Sequence, residues 1–170
     1  MTSRNLRLAP EFDAAFARRT SELALRPERP EDEQFLQALF TACSPLVGLV
    51  PPEMINFQAQ TQRSSHNHAY PEAMHRVVEA SGVPVGRAMI DWGEAATQLV
   101  DIAVLPEARP TRAGRTLLLT WIEVAETAGL RATLEVLVTN PALAIYRKLG
   151  FVEIAEQVPG DPVLTMQRGP

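Results

Sequence analysis

Cysteine occurs once in the 170 residues, at Cys43. A lone thiol excludes an intrachain disulfide and any cysteine-rich zinc site. Basic residues are in the minority, 16 Lys and Arg against 20 Asp and Glu, for a formal net charge of -4. Non-specific attraction to nucleic acid or to an anionic membrane would therefore need a local basic patch, and neither partner is expected. No apolar run is long enough to span a bilayer, and the opening MTSRNLRLAPEFDAAFARR lacks the apolar stretch of a secretory signal. The expectation is a cytoplasmic protein. Internal repeats, a Gly-x-Ser-x-Gly elbow, a zinc-protease motif and a Walker loop are all missing, which leaves hydrolase and NTPase readings without support. His66, His68, His75 and Glu72 are of metal-ligating type, but residues two apart on a helix point in different directions, and no metal site is expected.

What is present suits one globular unit. With 46% hydrophobic and 21% charged residues, the chain can bury a single core without covalent staples. Residues 1–21 mix charged and apolar positions without a clean period and are read as an N-terminal arm, with one domain over 22–170. ELALRPE reads as a strand. RPEDEQFLQALFTACSP reads as a helix: Pro30 suits its first turn, Glu31, Asp32 and Glu33 suit its positive end, and Phe35, Leu36, Leu39 and Phe40 share a face. A weaker, largely polar helix is expected from about Glu53 to His68, solvated or bordering a wet cleft. HRVVEA and VPVGRAMIDW flank the turn residues Ser81 and Gly82, and TQLVDIAVL follows Gly93, predicting three antiparallel strands in succession. A helix from Arg112 to Ala128 carries Leu117, Leu118, Trp121, Ile122 and Ala125 on one face, with Thr116, Thr120, Glu123 and Thr127 opposite, and Gly129 stops it. The strand ATLEVLV, the helix NPALAIYRKLG and the strand FVEIAE follow, and PVLTMQ closes a last hairpin after the turn PGD. The order βααβββαβαββ defines an α+β fold, helices on a largely antiparallel sheet.

The stretch VTNPALAIYRKLGF carries the sharpest signal. Asn140 can cap the helix, Pro141 suits its first position, Ala142, Ile145, Tyr146 and Leu149 line one side, and Gly150 ends it before Phe151. On periodicity alone Tyr146 is a core aromatic. At this spacing, Asn140, Pro141, Ala142, Tyr146, Gly150 and Phe151 resemble the signature of the GNAT family, the acetyl-CoA-dependent N-acetyltransferases. LRPERPEDEQFLQALF resembles that family's opening strand and helix, VPVGRAMID its central hairpin strand, and LVDIAVLPEAR the strand before its cofactor loop. The resemblance covers about Leu25 to Met166. It implies a three-layer fold with a central, mostly antiparallel mixed sheet whose fourth strand splays from the fifth, so that the pantetheine arm pairs with exposed backbone at Ile102, Ala103 and Val104.

The resemblance also implies a pyrophosphate cradle at the start of the following helix, where free N–H groups and the helix dipole favour anions. The family loop has Arg or Gln, two residues, Gly, one residue, then Gly or Ala. Here the positions are Arg109, Pro110, Thr111, Arg112, Ala113 and Gly114. The ends match, but Arg112 stands where glycine is usual and Pro110 offers no N–H. Arg112 either intrudes on the phosphate, or joins Arg109 and Arg115 in replacing lost backbone contacts with charge-assisted ones. Two departures in one short loop favour intrusion.

By resemblance the reaction is direct attack of a neutral amine on the thioester of acetyl-CoA, with Tyr146 as acid for the departing thiolate, Asn140 as a contact to CoA, and a backbone N–H near Ile102 to Val104 as oxyanion donor. Asp101 is a candidate base. It is equally a sheet residue paired with an arginine or facing solvent, with Glu135 and a water chain as rivals. Gln58, Gln62, His66 and Tyr70 would border the acceptor pocket. The expected function is N-acetylation of a small-molecule or protein amine; the alternative is a catalytically impaired member of the fold that serves as a binding or scaffold module. Whether the protein forms a homodimer is left open.

Overall fold

The computed structural model describes residues 3–154 and 160–169. Seven strands form one sheet: β1 (Leu23–Pro27), β2 (Met74–Ala80), β3 (Val83–Trp92), β4 (Ala96–Val104), β5 (Arg131–Leu137), β6 (Val152–Glu153) and β7 (Val163–Arg168). Their order is β1-β2-β3-β4-β5-β7-β6, and among the described residues β4–β5 is the only parallel pairing. Five helices accompany them: α1 (Ser3–Arg19), α2 (Glu33–Cys43), α3 (Pro52–Ala69), α4 (Ala113–Thr127) and α5 (Leu143–Lys148). Short 3-10 turns precede α2 and α4. The fold is the expected α+β arrangement with one more helix at its start.

That helix lies in the segment read as an arm. Leu8, Ala9, Phe12, Ala15 and Phe16 are buried, and this spacing puts them on one face of α1. Phe12 meets the edge of Trp92 at 6.2 Å, while Arg18 and Arg19 both reach Glu123 of α4. Pro10 lies inside the helix, and it joins the charged residues in obscuring a period that starts only at Leu8. Helix α4 packs on the same side of the sheet. Its buried surface is wider than an amphipathic stripe, since Thr120 and Val124 are buried as well. Thr120, expected on the polar face, turns its hydroxyl back to donate to the Thr116 carbonyl at 2.7 Å.

The β2–β3 turn has Ser81 at φ 51° and Gly82 at φ 77°, the paired positive angles of the two-residue hairpin that the sequence signals. Helix α5 is shorter than the expected NPALAIYRKLG. Asn140 Oδ1 accepts from the Ala142 N–H at 2.9 Å, closing a side-chain turn ahead of the helix rather than capping its first residue. Leu143 and Tyr146 are its buried residues, whereas Ile145 is half exposed. β6 pairs with β7 in the closing hairpin, β7 lying between β5 and β6. Ala155 and Glu156, the end of the expected strand FVEIAE, lie outside the described residues.

Candidate active site

The site begins with a break in the sheet. Met89 pairs with Asp101 but Ile90 pairs with Leu99, so Val100 is an extra residue on β4. Such a bulge bends its strand. The β4–β5 ladder runs only from Ala96↔Arg131 to Leu99↔Leu134 and ends at the bulge. Beyond it the two strands diverge. The Leu105 N–H bonds the Val85 carbonyl at 2.8 Å, and since backbone groups alternate sides along a strand, those of Ile102 and Val104 face the gap. The Val104 carbonyl there meets the Cys43 thiol at 3.4 Å.

A cavity of about 520 Å³ fills the opening, bounded by Ile102, Ala103 and Val104 of β4, Arg109, Arg112, Gly114 and Arg115 at the head of α4, and Asn140 and Tyr146 around α5. Every residue expected to hold the cofactor lines it except Ala113, which is fully buried and packs in the core. Cys43, Leu118 and Ile145 also line it and were not expected there.

Arg112 adopts φ 60°, ψ 21°, the left-handed conformation that glycine takes most easily. Its N–H is spent on the Arg109 carbonyl at 3.0 Å, and that of Ala113 approaches Thr111 Oγ1 at 3.3 Å. The N–H groups of Gly114 and Arg115, at the start of α4, have no acceptor among the described residues and belong to residues that line the cavity. A Cβ on Gly114 would meet Val104 Cγ2 at 3.5 Å, an ordinary contact. Two free backbone donors, a helix dipole and three arginines therefore converge at one end, a setting that suits an anion.

Tyr146 stands on the other wall of the same cavity. Its ring packs edge-on against Phe151 at 6.1 Å, and Phe151 stacks on Trp121 at 5.7 Å. Burial, helped by the charge of Asp101, pushes its phenol pKa up to about 12. The hydroxyl has no hydrogen-bond partner among the described residues.

Asp101 lies on the opposite side of β4 from the α4 packing layer. Its carboxylate is 3.3 Å from Arg87 Nη1, and Arg87 Nη2 is 3.4 Å from both Glu28 Oε2 and His75 Nδ1. Burial pushes Glu28 up, but the neighbouring His75, 3.6 Å away, and the Arg87 charge outweigh it and hold its carboxyl below the ordinary value. Arg87, a charged residue within a mostly buried strand, is the functional candidate that the sequence reading passed over. Asp101 borders a cavity of about 450 Å³ with Gln58, Gln62 and Phe40. Cys43, Ile102, Ala103 and Asn140 line both this cavity and the larger one, so the two meet at the splayed strands. Glu135, the rival base, is exposed on β5.

A sheet opened by a bulge, with unpaired backbone donors at a helix start on one side of the gap and a polar chamber on the other, is an arrangement suited to acyl transfer. The model of the acetyltransferase (GNAT) family matches residues 33–151, and the chain belongs to that family. Solved structures with this fold include the PaiA N-acetyltransferase of Thermoplasma acidophilum in complex with coenzyme A, at 18% identity and TM-score 0.68, covering 87% of this chain and 99% of that one. An acetyltransferase of Thermus thermophilus aligns at 23% identity and TM-score 0.62, covering 87% and 97%. A GCN5-related N-acetyltransferase of Rhodopseudomonas palustris aligns at 23% identity and TM-score 0.63, covering 88% and 97%. At these identities the likeness is one of fold. A comparison with curated protein sequences finds no match.

Proposed function

We propose that the protein transfers an acetyl group from acetyl-CoA to a primary amine. The observation that carries this reading is the 520 Å³ cavity, which joins free β4 backbone, the donors at the head of α4 and the Tyr146 phenol in one cleft. Acetyl-CoA supplies the activated thioester. Gly114 and Arg115 N–H groups and the Arg109, Arg112 and Arg115 guanidiniums would hold its pyrophosphate, the gap-facing backbone of Ile102 and Val104 its pantetheine arm, and Asn140 a contact along the way. A backbone N–H of this β4 segment would stabilise the negative charge that develops on the thioester carbonyl oxygen.

Tyr146 serves the departing sulfur. With a pKa near 12 the phenol keeps its proton at any working pH, so the sulfur always meets a protonated donor, which regains its proton from solvent in the cavity. Asp101, with the amide side chains of Gln58 and Gln62, lines the chamber where an ammonium acceptor enters. The left-handed backbone at Arg112 supports replacement over intrusion: the loop keeps a glycine-like conformation, and the guanidinium is free to meet phosphate.

Calorimetric titration of acetyl-CoA, followed by mass spectrometry of amines incubated with it, tests the proposal. Saturable binding and an acetylated amine product support it. Binding without transfer to any amine points to the scaffold alternative, and no binding rules out both the cofactor and the reaction.

A further inference from the structure

His66 lies in the last turn of α3 and lines two cavities at once. One is a void of about 30 Å³ that it shares with Gln62, Arg63, Arg87 and Asp101. The other is an open cavity of about 440 Å³ bounded by Phe40, Phe57, Gln58 and Ser65. A cavity of the first size has room for one water; Leu36, Phe40 and Ala59 complete its wall, and its polar side chains offer the two to four partners that such a water needs. The imidazole therefore stands between the small cavity against Asp101 and the open one. Its ring nitrogens make no hydrogen bond to any described residue.

The charged groups around His66 come from three strands of the sheet: Arg87 on β3, Asp101 on β4 and Glu135 on β5. On its own helix Arg63 is turned toward Glu33 of α2 at 3.7 Å, and Tyr70 follows the helix end. Burial lowers the imidazole pKa below its ordinary value, Asp101 and Glu135 oppose that drop, and Arg87 adds to it. Near neutral pH the ring is unprotonated and free to accept a proton.

Resting on the transferase reading above, we infer that His66 is the general base of the reaction, and that Asp101, held by Arg87, is its positioning residue rather than the base. The acceptor ammonium, in the chamber that shares Gln62, Arg87 and Asp101 with the small cavity, gives one proton to the imidazole through a water in that small cavity. The freed lone pair on nitrogen forms the N–C bond as the C–S bond breaks. The second N–H proton lost on amide formation balances the one that the sulfur receives through Tyr146, and the imidazolium returns its proton to solvent through the open cavity.

Two measurements on the full chain test this. The first is an NMR titration of the His66 ring in the protein without acetyl-CoA, in wild type and Asp101→Asn. The second is the pH profile of thiol release from acetyl-CoA in wild type, His66→Gln and Asp101→Asn, with water, benzylamine and a lysine-containing peptide as acceptors. Acetyl-CoA affinity is followed by calorimetry throughout. His66→Gln should lower turnover about 100-fold or more and remove the acid limb of the profile, with affinity unchanged. Asp101→Asn removes a charge that holds the ring's pKa up, so both the NMR titration and the acid limb should move to lower pH. Wild-type turnover and acid limb in His66→Gln, or an unmoved ring titration in Asp101→Asn, overturns the inference while acetyl-CoA binding leaves the transferase reading standing. Absence of binding, or of any thiol release, in wild type overturns that reading and the inference together.

Discussion

The two terminal nitrogens of Arg26 each donate a 2.7 Å hydrogen bond to one carboxylate oxygen of Asp32. The pair joins β1 to the turn that starts α2, and the Arg29 N–H adds a third bond to Asp32 at 2.8 Å. Only 8% of the Asp32 side chain is exposed. Asp32→Ala leaves the guanidinium largely buried with half its partners gone and should cost about 3 kcal/mol, measured by urea denaturation. The Arg26 hydrogen bonds hold the Asp32 carboxyl below its ordinary pKa. For a lowered carboxylate the contribution is complete above the unfolded value, near 4 for aspartate, and fades as pH falls through the folded value. The difference between wild type and Asp32→Asn should thus be constant at neutral pH and shrink below about pH 4.

Tyr146→Phe removes a hydroxyl that bonds nothing among the described residues, while the ring contact to Phe151 persists. Thermal stability and acetyl-CoA affinity should stay within error of wild type. Turnover should fall by about 100-fold, the scale of a lost acid. Full turnover in the variant would reduce Tyr146 to a packing residue.

Gly114→Glu separates binding from folding. A residue at the start of α4 gains helix propensity of roughly 1 kcal/mol when glycine is replaced, and a carboxylate at a helix N-terminus is favoured by the dipole. The Cβ finds room beside Val104. The variant should fold at least as stably as wild type by thermal melting, yet lose acetyl-CoA binding in calorimetry, because its charge would occupy the place proposed for the pyrophosphate.

Arg112 distinguishes charge from backbone. Arg112→Ala removes the guanidinium and keeps the left-handed cost of roughly 1–2 kcal/mol, whereas Arg112→Gly removes both. Each variant should weaken acetyl-CoA by about 1.5–3 kcal/mol, the value of a hydrogen bond to a charged group. The glycine variant should be the more stable of the two. Tighter binding by Arg112→Gly would show that the side chain obstructs the site.

Most elements were legible because their signals are local. Proline and acids at the start of α2, Ser81-Gly82 between β2 and β3, and Gly129 after α4 each act within a few residues, and the structure puts boundaries beside them. Helix α1 was missed although Leu8, Phe12, Ala15 and Phe16 lie on one face, because the period begins late and Pro10 interrupts it. Asn140 was read as a helix cap from its type, yet the chain uses the same side-chain oxygen to bend one turn earlier.

The sequence by itself determined the residue types of the site: arginines and a glycine where the loop becomes α4, and an asparagine and a tyrosine near the end of the sheet. Their spacing needs only the local grammar of strand, turn and helix. Tertiary structure decided which of them share a cavity. The extra residue at Val100 parts β4 from β5, and a bulge depends on the register between β3 and β4, which pairs residues such as Met89 and Asp101 that are distant in the chain. It likewise decided that Arg87 reaches Asp101 and Glu28, and that His66 of α3 borders the same void as Asp101. Such partners come from separate elements, and only packing one layer against another brings them within reach.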